Sequence, residues 1–243
     1  MKYGEIITLG RHKLMCGDAT SRDDVMRLVD GEKVDLVLTD PPYGIKCQKN
    51  DGSVSRFSPN TIHTSPHKAY IFSFMIGDNS QDSASKHYDI AKELADKFII
   101  WGGQYFAKFL PVNGGWIFWD KLTGNNDFSD GELAWCNSGK RVRKYVQMWN
   151  GLYMQGSRVY NPQPRIHPTQ KPVELHMKIL EDFTQPDDVI LDCFGGSGTT
   201  LIACEMTGRK CLMMEISPEY CDIIRERYEK LTEGKLPLEV ANA

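Results

Sequence analysis

The chain has 243 residues, 41% hydrophobic and 25% charged, with a formal net charge of −3. These values fit a single globular domain with a large core, exclude the disulfide-stapled and disordered classes, and provide no global attraction to nucleic acid. No apolar run reaches the roughly 18 residues needed to cross a membrane, residues 1–13 lack the apolar stretch of a signal peptide, and the seven cysteines form no C-x-x-C pair, so a reducing, cytoplasmic setting is expected.

Taken in chain order, the periodicity predicts a helix over 21–30 and a buried strand over 34–38, which runs into Thr39-Asp40-Pro41-Pro42-Tyr43-Gly44. Residues 46–87, rich in Ser, Asn, Pro and Lys, are too long for an idle loop and are expected to be an insertion or lid. A helix is predicted over 88–96, a strand over 97–101, a helix over 103–110 and a strand over 115–119. Residues 122–166 break the rhythm again, with basic and aromatic residues set between Gly and Pro. Next come a helix over 172–184 with Pro172 near its start, a strand over 188–192, a glycine-rich loop, a helix over 198–207, a strand over 210–215 and a helix over 217–231. Strands alternating with helices predict an α/β fold built on a mostly parallel sheet.

Ligands of such sheets bind beyond the carboxyl ends of the strands, where strand order reverses. Two strands end in chemically unusual loops, and if those strands are neighbours both loops face one crevice. In Phe194-Gly195-Gly196-Ser197-Gly198-Thr199-Thr200 the glycines allow close backbone approach to a ligand. The loop has neither the G-K-[ST] of a phosphate loop nor the third glycine of a dinucleotide fingerprint. Glu215 ends the next strand, where a carboxylate can accept from both hydroxyls of a ribose, so a nucleoside cofactor without a pyrophosphate is expected. In Asp40-Pro41-Pro42-Tyr43 the two prolines remove amide donors, leaving carbonyl oxygens and a carboxylate as acceptors suited to an NH₂ group, with the Tyr43 ring as a stacking face. Each loop alone also reads as a rigid turn.

Together these residues resemble the amino-methylating DNA methyltransferases of the β-group, in which the catalytic motif precedes the cofactor motif. Gly17-Asp18 looks like the acidic element contacting the cofactor adenine, Asp40-Pro41-Pro42-Tyr43 like the catalytic motif, and His167-Pro168-Thr169-Gln170-Lys171-Pro172 like the block before the cofactor loop. The 194–200 loop resembles the methionine-binding loop and Glu215 the ribose-binding acid. Residues 101–106 and 115–121 look like phage and prophage members, although Trp101, Trp116 and Trp119 read equally well as core aromatics.

The resemblance implies a Rossmann-like fold, S-adenosylmethionine as cofactor, double-stranded DNA as substrate, a setting in restriction-modification and a homodimer. It assigns catalysis to Asp40, Pro41, Pro42 and Tyr43. Cofactor binding falls to Asp18, Asp40, Lys171, Asp192, Phe194, Gly195, Gly196, Ser197, Gly198, Thr199, Thr200 and Glu215. Asp at the head of the catalytic motif favours adenine N6 over cytosine N4, while RNA adenine remains open, as does a DNA-binding module without activity. The absence of a Pro-Cys pair argues against C5 methylation of cytosine. Lys140, Arg141, Arg143, Lys144, Arg158 and Arg165 are the candidate DNA-contacting residues, within a recognition region expected at 122–166. His63 and His67 have a spacing that serves a metal only on a helix, and Pro66 argues against one, so no metal is expected.

Overall fold

A computed structural model describes residues 1–45, 80–112, 114–123, 129–150, 153–154 and 170–234. The chain begins with an antiparallel hairpin, β1 (Ile6–Leu9) and β2 (His12–Cys16), turned by Gly10 at φ 57°. Helix α1 (Arg22–Val29) follows, its first turn capped by the Ser21 hydroxyl accepting from the Asp24 amide, and then β3 (Leu36–Thr39). Helix α2 (Asp82–Ala91), β4 (Phe98–Trp101), a 3-10 turn at Gly103–Phe106, β5 (Gly115–Asp120), β6 (Gly131–Cys136) and β7 (Val142–Val146) complete the first half. A short ladder of β8 (Trp149–Asn150) and β9 (Tyr153–Met154) stands apart from the main sheet. The rest is α3 (Val173–Phe183), β10 (Val189–Asp192), α4 (Thr199–Thr207), β11 (Lys210–Glu215) and α5 (Pro218–Thr232), the last capped by Ser217 with Pro218 in its first turn.

The main sheet has the order β1-β2-β11-β10-β3-β4-β6-β5-β7. Pairings β2/β11, β11/β10, β10/β3, β3/β4 and β5/β7 are parallel, and only β1 and β6 run against the rest. Alternation along the central strands divides the core in two. Leu36, Leu38, Ile99, Trp101, Ile117 and Trp119 pack with Leu175, Ile179 and Leu201 of α3 and α4, while Val37, Ile100, Leu191 and Leu212 pack with Val25 and Leu28 of α1 and Ala84 and Ala91 of α2. The strands are therefore covered on both faces, which is why they read as continuous apolar runs rather than alternating ones.

The five predicted strands all form, and the helices predicted at 21–30, 172–184, 198–207 and 217–231 lie within a residue or so of their observed bounds. Two helix expectations are corrected. The helix placed at 88–96 runs instead from Asp82 to Ala91, because Ala84, His87 and Ala91 supply its inward stripe and the Ser80 hydroxyl accepts from the Asp82 amide. The stretch 103–110 is a 3-10 turn and further turns, held between left-handed Gly102 at φ 70° and Pro111. The hairpin β1/β2 and strands β6 and β7 went unpredicted, and the last two lie inside the region assigned to target recognition. No helix among the described residues is long and apolar enough to cross a membrane.

Candidate active site

The chain lays β3 beside β4, passes outward to β5, β6 and β7, and returns through α3 to place β10 on the other side of β3, pairing Ile190 with Leu36 and Leu191 with Val37. The reversal of strand order falls between β3 and β10. The Asp40 loop and the 194–200 loop leave their strands side by side at the same end of the sheet, as expected for neighbours. The parallel pairing of β2 with β11, Cys16 opposite Glu215, brings Gly17 and Asp18 to that end as well, and the Gly17 amide donates to the Glu215 carbonyl at 3.1 Å.

Asp192 joins the two loops from below. Its Oδ1 accepts from the Thr39 hydroxyl at 2.9 Å and the Phe194 amide at 3.1 Å, and its Oδ2 from the Thr200 hydroxyl at 2.6 Å. The carboxyl is buried, and burial pushes its pKa up from 3.8 to about 6 despite these bonds, with the Asp40 charge adding to the rise. Because the folded-state value is the raised one, the ionised form destabilises the fold, so stability is lost as pH rises from 3.8 towards 6. Asp192→Asn removes that loss. The stability of this variant relative to the parent should rise by about 2–3 kcal/mol across the window, read as the difference between denaturant midpoints at pH 4 and pH 7. A difference independent of pH would contradict it.

The glycine loop is pinned by Glu215. Glu215 Oε2 accepts from the Gly196 amide at 2.7 Å and Oε1 from the Ser217 amide at 2.9 Å, and burial pushes the carboxyl up to about 6. Gly195 packs so closely that a Cβ there would stand 2.9 Å from Met213 Cγ, and Gly198 adopts φ 81° against Ile224. The Ser197 carbonyl accepts from Arg227 at 2.9 Å, and the Thr199 hydroxyl donates to the Lys171 carbonyl at 3.2 Å. Asp18 Oδ1 accepts from both the amide and the hydroxyl of Thr20 at 2.8 Å. Asp18, Asp40, Asp192 and Glu215 thus gather four carboxylates at this end of the sheet, with the Lys171 ammonium paired to Asp40. Glu215 has lone pairs to spare beyond its two backbone bonds, as a ribose ligand requires.

In the Asp40 loop, Asp40 Oδ1 accepts from the Tyr43 hydroxyl at 2.7 Å, and Oδ2 pairs with the Lys171 ammonium. The Tyr43 ring stacks on Tyr105 with centroids 5.1 Å apart and meets Phe106 edge-on. Gly102 must be glycine here, since a Cβ would lie 2.2 Å from Tyr43 Cε1. Lys171 is buried, 5.0 Å from the centroid of Trp101, and its second carboxylate is Glu132 at 3.4 Å. The other oxygen of Glu132 reaches Lys121 at 2.5 Å. Sequence reasoning missed Thr39, Lys121 and Glu132. The alternation that puts Glu132 on the same face as Ala134 becomes visible only once β6 is known to be a strand.

Trp101 and Trp119 are core residues, as their plainer reading had it, and Trp116 is half-buried. Of the basic cluster, Arg143 pairs with Asp182 at 3.0 Å and Lys144 with Asp120 at 2.7 Å. Lys140 and Arg141 lie in the turn from β6 to β7, at the end of the sheet away from the Asp40 loop, because β6 runs antiparallel. Arg158, Arg165, His167, Pro168, Thr169, His63, His67 and residues 46–79 lie outside the described residues.

Residues 34–226 match the DNA methylase family of the N6/N4 type. The putative methylase YubD of Escherichia coli K12 is 41% identical over 216 residues, covering 81% of this chain and 82% of that protein. The type II methyltransferase M.HpaI of Haemophilus parainfluenzae is 24% identical, covering 91% of this chain and 76% of its own length. The match to M2.MboI of Moraxella bovis is more local, 44% identical over 66 residues, 27% of this chain and 24% of that protein. Among solved structures, the M1.HpyAVI complex with S-adenosylmethionine superposes with a TM-score of 0.51 at 24% identity over 88% of this chain and 98% of that one. PvuII DNA methyltransferase, described as cytosine-N4-specific, superposes with a TM-score of 0.57 at 17% identity over 99% of this chain and 98% of that one. These likenesses establish the Rossmann-like methyltransferase fold. With its family match spanning most of the sequence and its Asp40 loop preceding its glycine loop, the chain belongs to the N6/N4 DNA methylase family, in the β-group order of motifs.

Proposed function

We propose that the protein transfers a methyl group from S-adenosylmethionine to the N6 amine of an adenine in double-stranded DNA. The observation that carries this reading is the meeting of the Asp40 loop with the Glu215-pinned glycine loop across neighbouring strands. S-adenosylmethionine supplies the electrophilic methyl. Glu215 takes the ribose hydroxyls, Asp18 lies beside it for the adenine, and the backbone of Phe194, Gly195, Gly196, Ser197 and Gly198 carries the methionine end. Lys171, Asp192, Thr199 and Thr200 act from behind, since their described polar contacts go to the protein's own loops.

A target amine in a duplex is held in the stack, so the base must be flipped out to reach Asp40. Asp40 and the Pro41 carbonyl accept its two hydrogens, Pro42 keeps the loop stiff, and the Tyr43 ring, backed by Tyr105, supports the base. Catalysis then consists of orientation and of acceptors set where charge shifts, with no covalent enzyme intermediate. Adenine is favoured because Asp heads the motif. Cytosine N4 is the second reading, prompted by the PvuII likeness in fold. Phosphate contacts at Arg143 and Lys144 require release of Asp182 and Asp120, so we place more of the DNA interface on Arg158, Arg165 and the 46–79 segment.

The test is transfer from labelled S-adenosylmethionine to unmethylated duplex DNA, followed by nucleoside analysis. N6-methyladenine is expected. N4-methylcytosine overturns the choice of base but keeps the acceptor geometry, and transfer to RNA alone overturns the substrate.

A further inference from the structure

Lys121, Glu132, Lys171 and Asp40 form a line of alternating charge running from the end of β5 through β6 to the catalytic loop. Lys171 is its pivot: the ammonium pairs with Asp40 and stands 3.4 Å from Glu132. Burial works against that charge, but the two carboxylates outweigh it and hold the ammonium above its ordinary range. Burial likewise opposes the charge on Glu132, yet Lys171 and Lys121 bring its carboxyl down to about 2. The other titratable groups facing this line are Tyr43 and Tyr105 on the Asp40 side, Asp192 beneath the loop, and His176 and Arg227 behind Lys171.

We infer that Glu132 is a positioning residue for Asp40, acting through Lys171, and that it draws part of the ammonium away so that Asp40 keeps a lone pair for the incoming amine. This inference rests on the reading of Asp40 as the acceptor of the target NH₂. The Tyr43 hydroxyl already occupies one oxygen of Asp40 and Lys171 the other. An ammonium held by Asp40 alone would withdraw charge from the carboxylate and compete with the amine for its lone pairs. With a second carboxylate within reach, Lys171 can turn towards Glu132 as the base enters, without leaving the site or losing its proton.

The experiment measures turnover on unmethylated genomic duplex DNA for the parent, Glu132→Gln, Glu132→Asp, Lys171→Met and the Glu132→Gln/Lys171→Met double variant, with side-chain NMR titration of the Lys171 ammonium where Lys171 is present. Glu132→Gln is expected to lower kcat by roughly tenfold, to leave the KM for S-adenosylmethionine within about twofold, and to lower the pKa of the Lys171 ammonium, because one of the two carboxylates that hold it charged is gone. Glu132→Asp should recover most of the rate, and Glu132→Gln should cost nothing further once Lys171 is Met. An equal loss in both backgrounds, or an unmoved Lys171 titration, overturns the inference.

If Glu132→Gln fails to fold, Lys121→Gln serves instead. Glu132 freed from Lys121 pulls Lys171 harder, so the pKa of the Lys171 ammonium should rise, and an unchanged titration overturns the inference. If the parent transfers no methyl group to DNA, the proposed function fails by itself. Side-chain NMR of the Lys171 ammonium then still reads the coupling: Glu132→Gln should lower its pKa, and an unchanged titration overturns the role of Glu132.

Discussion

Asp40→Ala is expected to reduce methyl transfer by about a thousandfold or more while leaving S-adenosylmethionine affinity within a few-fold of the parent. In the proposed function, the side chain removed is the charged acceptor at the reacting centre. Losing one preorganised group of this kind costs about 10²–10³ in rate, and misorientation of the amine adds to it. The same substitution frees the Tyr43 hydroxyl and strips Lys171 of one carboxylate, so the stacking platform and the buried cation both lose a partner. Glu215 and the glycine loop sit on the other side of the β3/β10 boundary, bound to one another through the Gly196 amide, while the described hydrogen bonds of the Asp40 side chain go to Tyr43 and Lys171. Single-turnover assays and calorimetry with the cofactor check both halves. Equal loss of cofactor binding would place Asp40 on the cofactor rather than on the base.

Glu215→Ala should produce the opposite pattern, with cofactor affinity down by about 10²–10⁴ and transfer lost only through failure to bind. Two charge-assisted hydrogen bonds to a ribose contribute roughly 1.5–3 kcal/mol each. The carboxylate also holds the Gly196 and Ser217 amides, so its loss loosens the glycine loop. Raising the cofactor concentration should restore much of the rate to Glu215→Ala and none to Asp40→Ala. A Glu215 variant with unchanged affinity would remove the ribose assignment.

Much of the candidate site was legible in the sequence because its chemistry lies in short contiguous loops. Asp40 to Tyr43 and Phe194 to Thr200 each follow a Val- and Ile-rich run, and turn chemistry is a local property. What the sequence hid was Glu132 and Thr39. Glu132 comes to Lys171 through a β4/β6 pairing that inserts an antiparallel strand between two parallel ones, and Thr39 reaches Asp192 only because β3 and β10, some 150 residues apart, are neighbours. The strand β7 was obscured for a related reason: with Val142 exposed and three basic residues at 141, 143 and 144, it lacks the apolar run of a central strand because it lies at the sheet's edge.

The sequence by itself determined the α/β class, the five central apolar strands, the two ligand loops and the family, since each rests on periodicity or on residues adjacent in the chain. The tertiary structure alone decided which strands adjoin, that Asp192 ties the two loops together, and that Lys171 is shared between Asp40 and Glu132. The physical reason is that hydrogen bonds and ion pairs act over a few ångströms in space. Which side chains come that close depends on the register of strands remote in sequence, and no local pattern encodes it.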